Sequence, residues 1–268
     1  MLIDLSSQRV KARAAALEPH AVRLRAVDFS YCTGRANGPL YTGFDLAIQQ
    51  GSVVALMGAS GSGKSTLGKM MGRIIGPTAG RVEWSTEFKK RSDVVYMDQH
   101  AMNSIFPWHT VRQNLRYPLE KLRWEEREIE ARVSYLASLF RLEALLDTLP
   151  ANISGGELQR LALARCLSWK PELAVLDEPF SALDRDFKSH IISALQELSS
   201  KDGMTLIVIT HSVSDALAIA TRYVVIGDRP VRVMSDMDFK SPHPRAEGTL
   251  DHASMEKILI SCIREGLV

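Results

Sequence analysis

The clearest chemical signal in this chain is the run Gly58-Ala59-Ser60-Gly61-Ser62-Gly63-Lys64-Ser65-Thr66. Glycines at these spacings let the backbone approach a polyphosphate and turn its N–H groups inward. A helix opening after Gly63 adds the positive end of its dipole at the same point. Lys64 is spaced to reach the β- and γ-phosphates, and the Ser65 hydroxyl to ligate Mg²⁺. The flanks agree: Val53 to Met57 is an apolar strand, and Leu67 to Ile75 has helical character. Chance yields this glycine–lysine spacing in roughly one chain in a hundred of this length, and the strand–turn–helix context lowers that further.

Other stretches place polar residues where nucleotide chemistry needs them. Leu173 to Leu176 is a short, wholly apolar strand closing on Asp177-Glu178. Ligands of α/β sheets gather at the carboxyl ends of strands. A carboxylate there can hold Mg²⁺ with Ser65, and the neighbouring acid can polarise an attacking water. The rival reading is a surface turn with two solvated acids before Pro179. Ser154-Gly155-Gly156-Glu157 opens an apolar helix. Its Ser-x-x-Glu spacing is a capping box, and the two glycines leave the helix N-terminus open to an anion. Spacing does not decide whether that end faces its own nucleotide or another subunit's. Gln99 and His211 each end a strand. The glutamine can ligate Mg²⁺ or be a surface residue, and the histidine can contact a γ-phosphate, orient the water or be structural. Tyr31 is either a core aromatic or a platform for adenine.

These residues need a scaffold, and the apolar patterning supplies one. Val22 to Phe29 and Phe44 to Ile48 alternate as strands, with a polar turn at Thr33 to Pro39 between them. Together they predict a small antiparallel β layer. Further strands are expected at Arg81 to Trp84, Val94 to Met97, Leu173 to Leu176, Thr205 to Thr210 and Tyr223 to Ile226. Helices are expected at Glu125 to Leu146, from Ser154 to Trp169, at Lys188 to Leu198 and at Ser214 to Thr221. Strands alternating with helices predict an α/β fold with a parallel sheet, interrupted by a helical subdomain over about residues 105–165. Residues 1–20 read as an extension, 21–228 as the main domain and 229–268 as a tail with a short helix at Ser254 to Arg264.

At 268 residues the chain can bury a full core. A net charge of +2 gives no argument for nucleic acid. Cys32, Cys166 and Cys262 lie far apart, which suggests neither a disulfide framework nor a zinc site, and Cys166 reads as core. No apolar run approaches the ~18 residues of a membrane span.

Taken together, the motifs resemble the nucleotide-binding subunit of an ABC transporter, from about Val22 to Asp228. Gly58 to Thr66 is similar to the Walker A loop, and Gln99 to the Q-loop glutamine. Ser154 to Arg160 resembles the family signature, and Leu173 to Glu178 the Walker B strand with its catalytic glutamate. Ser181-Ala182-Leu183-Asp184 resembles the D-loop, His211 the switch histidine, and Tyr31 the adenine-stacking aromatic. Glu157 departs from the glutamine that many members carry, and both fit the capping box. The resemblance implies a P-loop NTPase (RecA-like) core that binds ATP and Mg²⁺. It further implies a head-to-tail dimer of two such subunits, each ATP lying between the Walker A loop of one and Ser154 to Gly156 of the other. Glu178 and His211 would serve catalysis, and Ser65, Gln99 and Asp177 the metal.

Partners implied in the same way are transmembrane permease subunits and a solute-binding protein, with the ATPase peripheral on the cytoplasmic face of the inner membrane. Phe106-Pro107-Trp108 to Asn114 resembles a stretch of nitrate/sulfonate/taurine-type importers. His211 to Arg222 and Asp228-Arg229-Pro230 resemble importer segments, with Asp215, Thr221 and Val231 replacing the usual Glu, Asp and Gly. The tail is expected to be too short for the regulatory domain of sugar-importer ATPases. The competing readings are an exporter or lipid-handling ATPase and a soluble ABC-type ATPase.

Overall fold

A computed structural model describes residues 20–31, 38–238 and 250–265. The N-terminal extension, Cys32 and most of the expected turn at residues 33–39 lie outside the described residues. In chain order the elements begin with β1 (His20–Phe29), β2 (Tyr41–Gln49), β3 (Val53–Met57), α1 (Lys64–Met71), β4 (Ala79–Trp84) and β5 (Val94–Met97). Three helices follow: α2 (Val111–Lys121), α3 (Glu126–Leu139) and α4 (Gly155–Cys166). The chain then alternates through β6 (Leu173–Asp177), α5 (Arg185–Asp202), β7 (Thr205–Ile209), α6 (Val213–Ile219), β8 (Arg222–Gly227) and β9 (Arg232–Asp238), and reaches α7 (Leu250–Glu265).

Two sheets form. A three-stranded antiparallel sheet has the order β2-β1-β4, and a six-stranded sheet has the order β5-β6-β7-β3-β8-β9. The latter is parallel except for β9, which runs antiparallel to β8. Its central strands are apolar at nearly every position because both faces are covered. Alternate residues of β3 show this directly. Val54 and Leu56 enter a core shared with the antiparallel sheet and α1, whereas Ala55 and Met57 enter the core shared with the helical block. Leu67, Met70 and Met71 of α1 are fully buried between the two sheets, so the helix that carries Lys64 is clamped on both sides.

Two expectations change, and one helix was not foreseen. The helix expected over 125–146 ends at Leu139, because Arg141 takes φ 51 and the chain turns into a short 3₁₀ segment. Helix α2 was not legible, since Pro118 inside it reads as a breaker. The chain beyond Asp228, expected to be a tail, supplies an edge strand of the main sheet, and α7 buries Leu259 in the core. Strand β9 has no fully buried residue and no regular alternation, with partly buried Val233, Met234 and Ser235 in a row, too weak a pattern to read from sequence. Cys166 is buried as expected, and burial pushes its thiol up to about 11.

Buried Arg132 of α3 fastens that helix to the C-terminal end of α4. It donates to the carbonyls of Ser168 and Leu167, just past the end of α4, at 2.8 and 2.9 Å. A cation at a helix C-terminus is stabilised there by the unpaired carbonyls.

Strand β4 lies tight against β1 at Gly80, which takes φ 76 and where a methyl group would lie 2.1 Å from the carbonyl oxygen of Ala26. Gly80→Ala is expected to destabilise the fold by about 2 kcal/mol or more. Gly76→Ala, where a methyl group meets nothing within 4 Å, should change stability by at most about 1 kcal/mol. Equal denaturation midpoints for the two variants would refute this reading of the β1–β4 contact.

Candidate functional site

The parallel register sets the strand ends side by side. Asp177 pairs with Ile209, and Ile209 with Leu56. The loop after β3, the acids after β6 and His211 after β7 therefore emerge from one edge of the sheet, where α/β folds bind ligands.

The loop holds a defined shape. Gly58 takes φ 154, and a methyl group there would lie 2.3 Å from the carbonyl oxygen of Ile226 in β8. Lys64 is 8% exposed, and its ammonium donates to the carbonyls of Gly58 and Ala59 at 2.9 and 2.8 Å. Burial lowers its pKa, and the nearby charges of Glu178 and Asp177 work against that. The hydroxyl of Tyr41, itself buried, donates to the Gly63 carbonyl at 2.8 Å. Tyr31 and Thr66 share a 2.6 Å hydroxyl–hydroxyl bond. Tyr31 is 59% exposed, which removes the core reading of this residue.

A cleft of about 240 Å³ runs over the loop, lined by Gly61, Gly63, Lys64, Ser65 and Thr66. Tyr31, Leu40 and Arg229 complete its wall. Pockets that enclose a small molecule usually measure ~300–1,000 Å³, so a nucleotide lying here keeps one side uncovered. Ser60 is exposed and Ser62 half-buried beside this floor.

Asp177 is 2% exposed. Its Oδ2 accepts a 2.9 Å bond from the Tyr96 hydroxyl, while its buried Oδ1 has no hydrogen-bond partner among the described residues. Burial raises its pKa, with the hydroxyls of Ser65 and Tyr96 acting the other way. A desolvated carboxylate oxygen beside a hydroxyl is a donor set that suits a hard cation such as Mg²⁺.

Glu178 takes φ 48, a conformation that costs a non-glycine residue of order 1–3 kcal/mol and clusters at functional sites. The bend turns its side chain to His211. Its Oε1 lies 2.7 Å from His211 Nδ1 and accepts the His211 backbone N–H at 3.1 Å. The carboxylate is thereby held in one place while the imidazole stays 71% exposed.

The other expected residues lie apart. Ser154 and Gly155 are exposed, Gly156 is half-buried, and none of them lines the cleft. Ser154 caps α4, with Glu157 accepting its backbone N–H and its hydroxyl, each at 2.7 Å. Those bonds hold the Glu157 carboxyl below its usual range. A methyl group on Gly155 would meet nothing within 4 Å, so packing inside one subunit does not require glycine there. Gln99 is exposed just after β5 and also stands outside the cleft. Sequence reasoning missed Tyr41, Tyr96 and Arg229. The signal for Tyr96 was a hydroxyl inside an otherwise apolar buried strand. That for Arg229 was its place after a strand that proves to adjoin β3.

A phosphate loop on a mostly parallel sheet, an antiparallel sheet clamped across its helix, and a helical block inserted before β6 define an ATP-binding cassette. The comparisons concur. Residues 41–181 match the family model described as ABC transporter. Sulfate/thiosulfate import ATP-binding protein CysA of Synechococcus elongatus is 36% identical over 187 residues, 68% of this chain and 54% of that protein. Thiamine import ATP-binding protein ThiQ of Vibrio vulnificus is 33% identical over 210 residues, covering 75% of this chain and 88% of its own. Among solved structures, the dimeric post-hydrolysis state of the ATP-binding cassette MJ0796 with ADP and Pi superposes with a TM-score of 0.72 at 27% identity, covering 82% of this chain and 100% of that one. CbiO1 of Clostridium perfringens, part of the ABC transporter complex cbiONQ, gives 0.70 at 26%, covering 82% and 89%. The chain belongs to the ABC transporter family. It spans about half the length of the sulfate/thiosulfate relatives it matches.

The raised pKa of Asp177 means that its charged form is disfavoured in the fold relative to the unfolded chain. Asp177→Asn is therefore expected to raise the melting temperature of the ligand-free protein at pH 7, by roughly 2–4 °C per kcal/mol recovered. The gap should narrow on acidification, as the wild-type carboxyl takes up its proton. Mg²⁺ with ATP should stabilise the wild type more than the variant. A ligand-free variant that melts lower than wild type at pH 7 would contradict this account.

Proposed function

We propose that this chain is the ATP-hydrolysing subunit that powers a membrane solute importer. The observation that carries the reading is the Glu178–His211 contact, set on the same sheet edge as Lys64 and Asp177. Lys64 and the N–H groups of the loop bind the β- and γ-phosphates, and Tyr31 takes the adenine. Asp177 and Ser65 would hold Mg²⁺, with Gln99 as a further oxygen ligand, and the ion would supply neutralisation of the phosphate charge. Glu178 accepts the proton of the attacking water, and His211 fixes that carboxylate and faces the γ-phosphate.

Ser154 to Gly156 complete the site from a second copy. Their exposure, the open space at Gly155 and the uncovered side of the cleft support this, as does the dimeric state of the MJ0796 cassette.

A permease partner is supported by the helical block. Trp108 is 69% exposed and Met102 47% exposed, in the segment between Gln99 and α2. Asn114, fully buried, fixes that segment by bonding Phe106 at both its N–H and its carbonyl. Exposed apolar groups on a rigid support mark an interaction surface. The subunit then lies on the cytoplasmic face of the membrane, with a solute-binding protein on the other side. For the solute we assign the nitrate/sulfonate/taurine type, from the Phe106 to Asn114 stretch. Sulfate and thiosulfate, named for the relatives, are also small oxyanions.

Two measurements check the proposal. Glu178→Gln should bind ATP and dimerise on its addition by light scattering, with turnover reduced by about 10²-fold or more; turnover near the wild-type rate would remove Glu178 from its role. Trp108→Glu should keep wild-type ATP affinity and lose co-purification with the permease. Retained co-purification would place the docking surface elsewhere.

A further inference from the structure

Arg229 stands in the wall of the cleft without a role in the chemistry above. It is exposed on the turn between β8 and β9. That turn is held to the site from two directions. The Val231 N–H donates to the Leu40 carbonyl at 2.8 Å, two residues from Arg229, and Leu40 lines the cleft beside it. The Ile226 carbonyl, three residues before Arg229, lies against Gly58 at the start of the phosphate loop. The guanidinium thus sits on a fixed support.

Among the described residues its charge is uncommitted: Arg229 makes no hydrogen bond and no ion pair with them. Lys64, the other cation of the cleft, is bonded to two carbonyls and faces two acids. The sheet order separates the two cations as well. In β6-β7-β3-β8 the acids Asp177 and Glu178 lie on the β7 side of the loop strand, and Arg229 lies on the β8 side. Hydrolysis belongs with the acids, so the end of the ligand near Arg229, Leu40 and Tyr31 is the nucleoside end.

We propose that Arg229 is a nucleotide-binding residue that takes the ribose and α-phosphate of the ligand in this cleft. A guanidinium fork suits phosphate oxygens, being planar, permanently charged and weakly hydrated. Lys64 grips the part of the ligand that changes on hydrolysis. Arg229 grips the part that ATP and ADP share, so it contributes affinity that is kept through the cycle.

The inference rests on the nucleotide-binding role proposed for the loop, and calorimetric titration of the folded chain separates the two. Arg229→Ala and the nearly isosteric, uncharged Arg229→Gln are each titrated with ADP and with a non-hydrolysable ATP analogue. Because Arg229 is exposed, both variants should melt at the wild-type temperature. Each is expected to weaken both nucleotides by the same factor, roughly threefold to tenfold for one partly solvated charge-assisted contact. Wild-type affinity in both variants overturns the assignment of Arg229 alone. A loss confined to the ATP analogue also overturns it, because the contact would then be to the γ-phosphate. A folded wild-type chain that binds neither nucleotide overturns both the role of the loop and that of Arg229.

Discussion

Lys64 is a buried ammonium, and the architecture keeps that charge tolerable. Burying a cation without partners is costly. Here two loop carbonyls accept from it and two acids face it. The acids arrive from β6, two strands away in the sheet, and only the register Asp177–Ile209–Leu56 brings them level with the loop. A one-residue slip of β6 would leave apolar residues on both of its covered faces but carry Asp177 to the other side of the sheet, withdrawing the counter-charge. Electrostatics, more than packing, selects this register.

The same edge stores unfavourable energy. Among the described residues one buried oxygen of Asp177 has no hydrogen-bond partner, and Glu178 keeps a left-handed backbone. Neighbouring elements hold both in place. Gln159 of α4, 2% exposed, donates to the Pro179 carbonyl at 2.9 Å, and the Glu178 N–H donates to Ile209 at 2.9 Å. Asp184 caps α5 through the Phe187 N–H, which closes the turn that begins at Glu178. Gln159 therefore ties the helix that Ser154 caps directly to the turn that bears Glu178.

Much of this was legible in the sequence because it is local. The glycine spacing defines the phosphate loop, Ser154 and Glu157 define a helix start, and apolar runs ending in Asp177, Gln99 and His211 define strand ends. The α/β class followed from their alternation. What escaped depends on long-range geometry. Tyr41 and Tyr96 act through hydroxyls that meet Gly63 and Asp177, 22 and 81 residues away in the chain, and no spacing rule reports such a meeting. Helix α2 hid behind Pro118, which reads as a breaker although it lies within the helix, and β9 hid because an edge strand on a well-covered sheet needs little apolar content. Arg229 reaches the cleft only because β8 lies beside β3, which is a property of the sheet order.

Glu157 shows how a local pattern and a site requirement can share one residue. As a cap it satisfies the Ser154 N–H, a contribution of about 1 kcal/mol to α4. Its carboxylate also draws the Ser154 hydroxyl proton toward itself, at the helix end that is proposed to meet a triphosphate. A neutral glutamine could make the cap without adding negative charge there. In this chain Arg160, 3.8 Å from Glu157, offsets that charge while donating to the carbonyls of Phe140 and Arg141. The acid is therefore already balanced from within its own helix, so the N-terminus of α4 can present a net positive field to an incoming phosphate despite the carboxylate beside it.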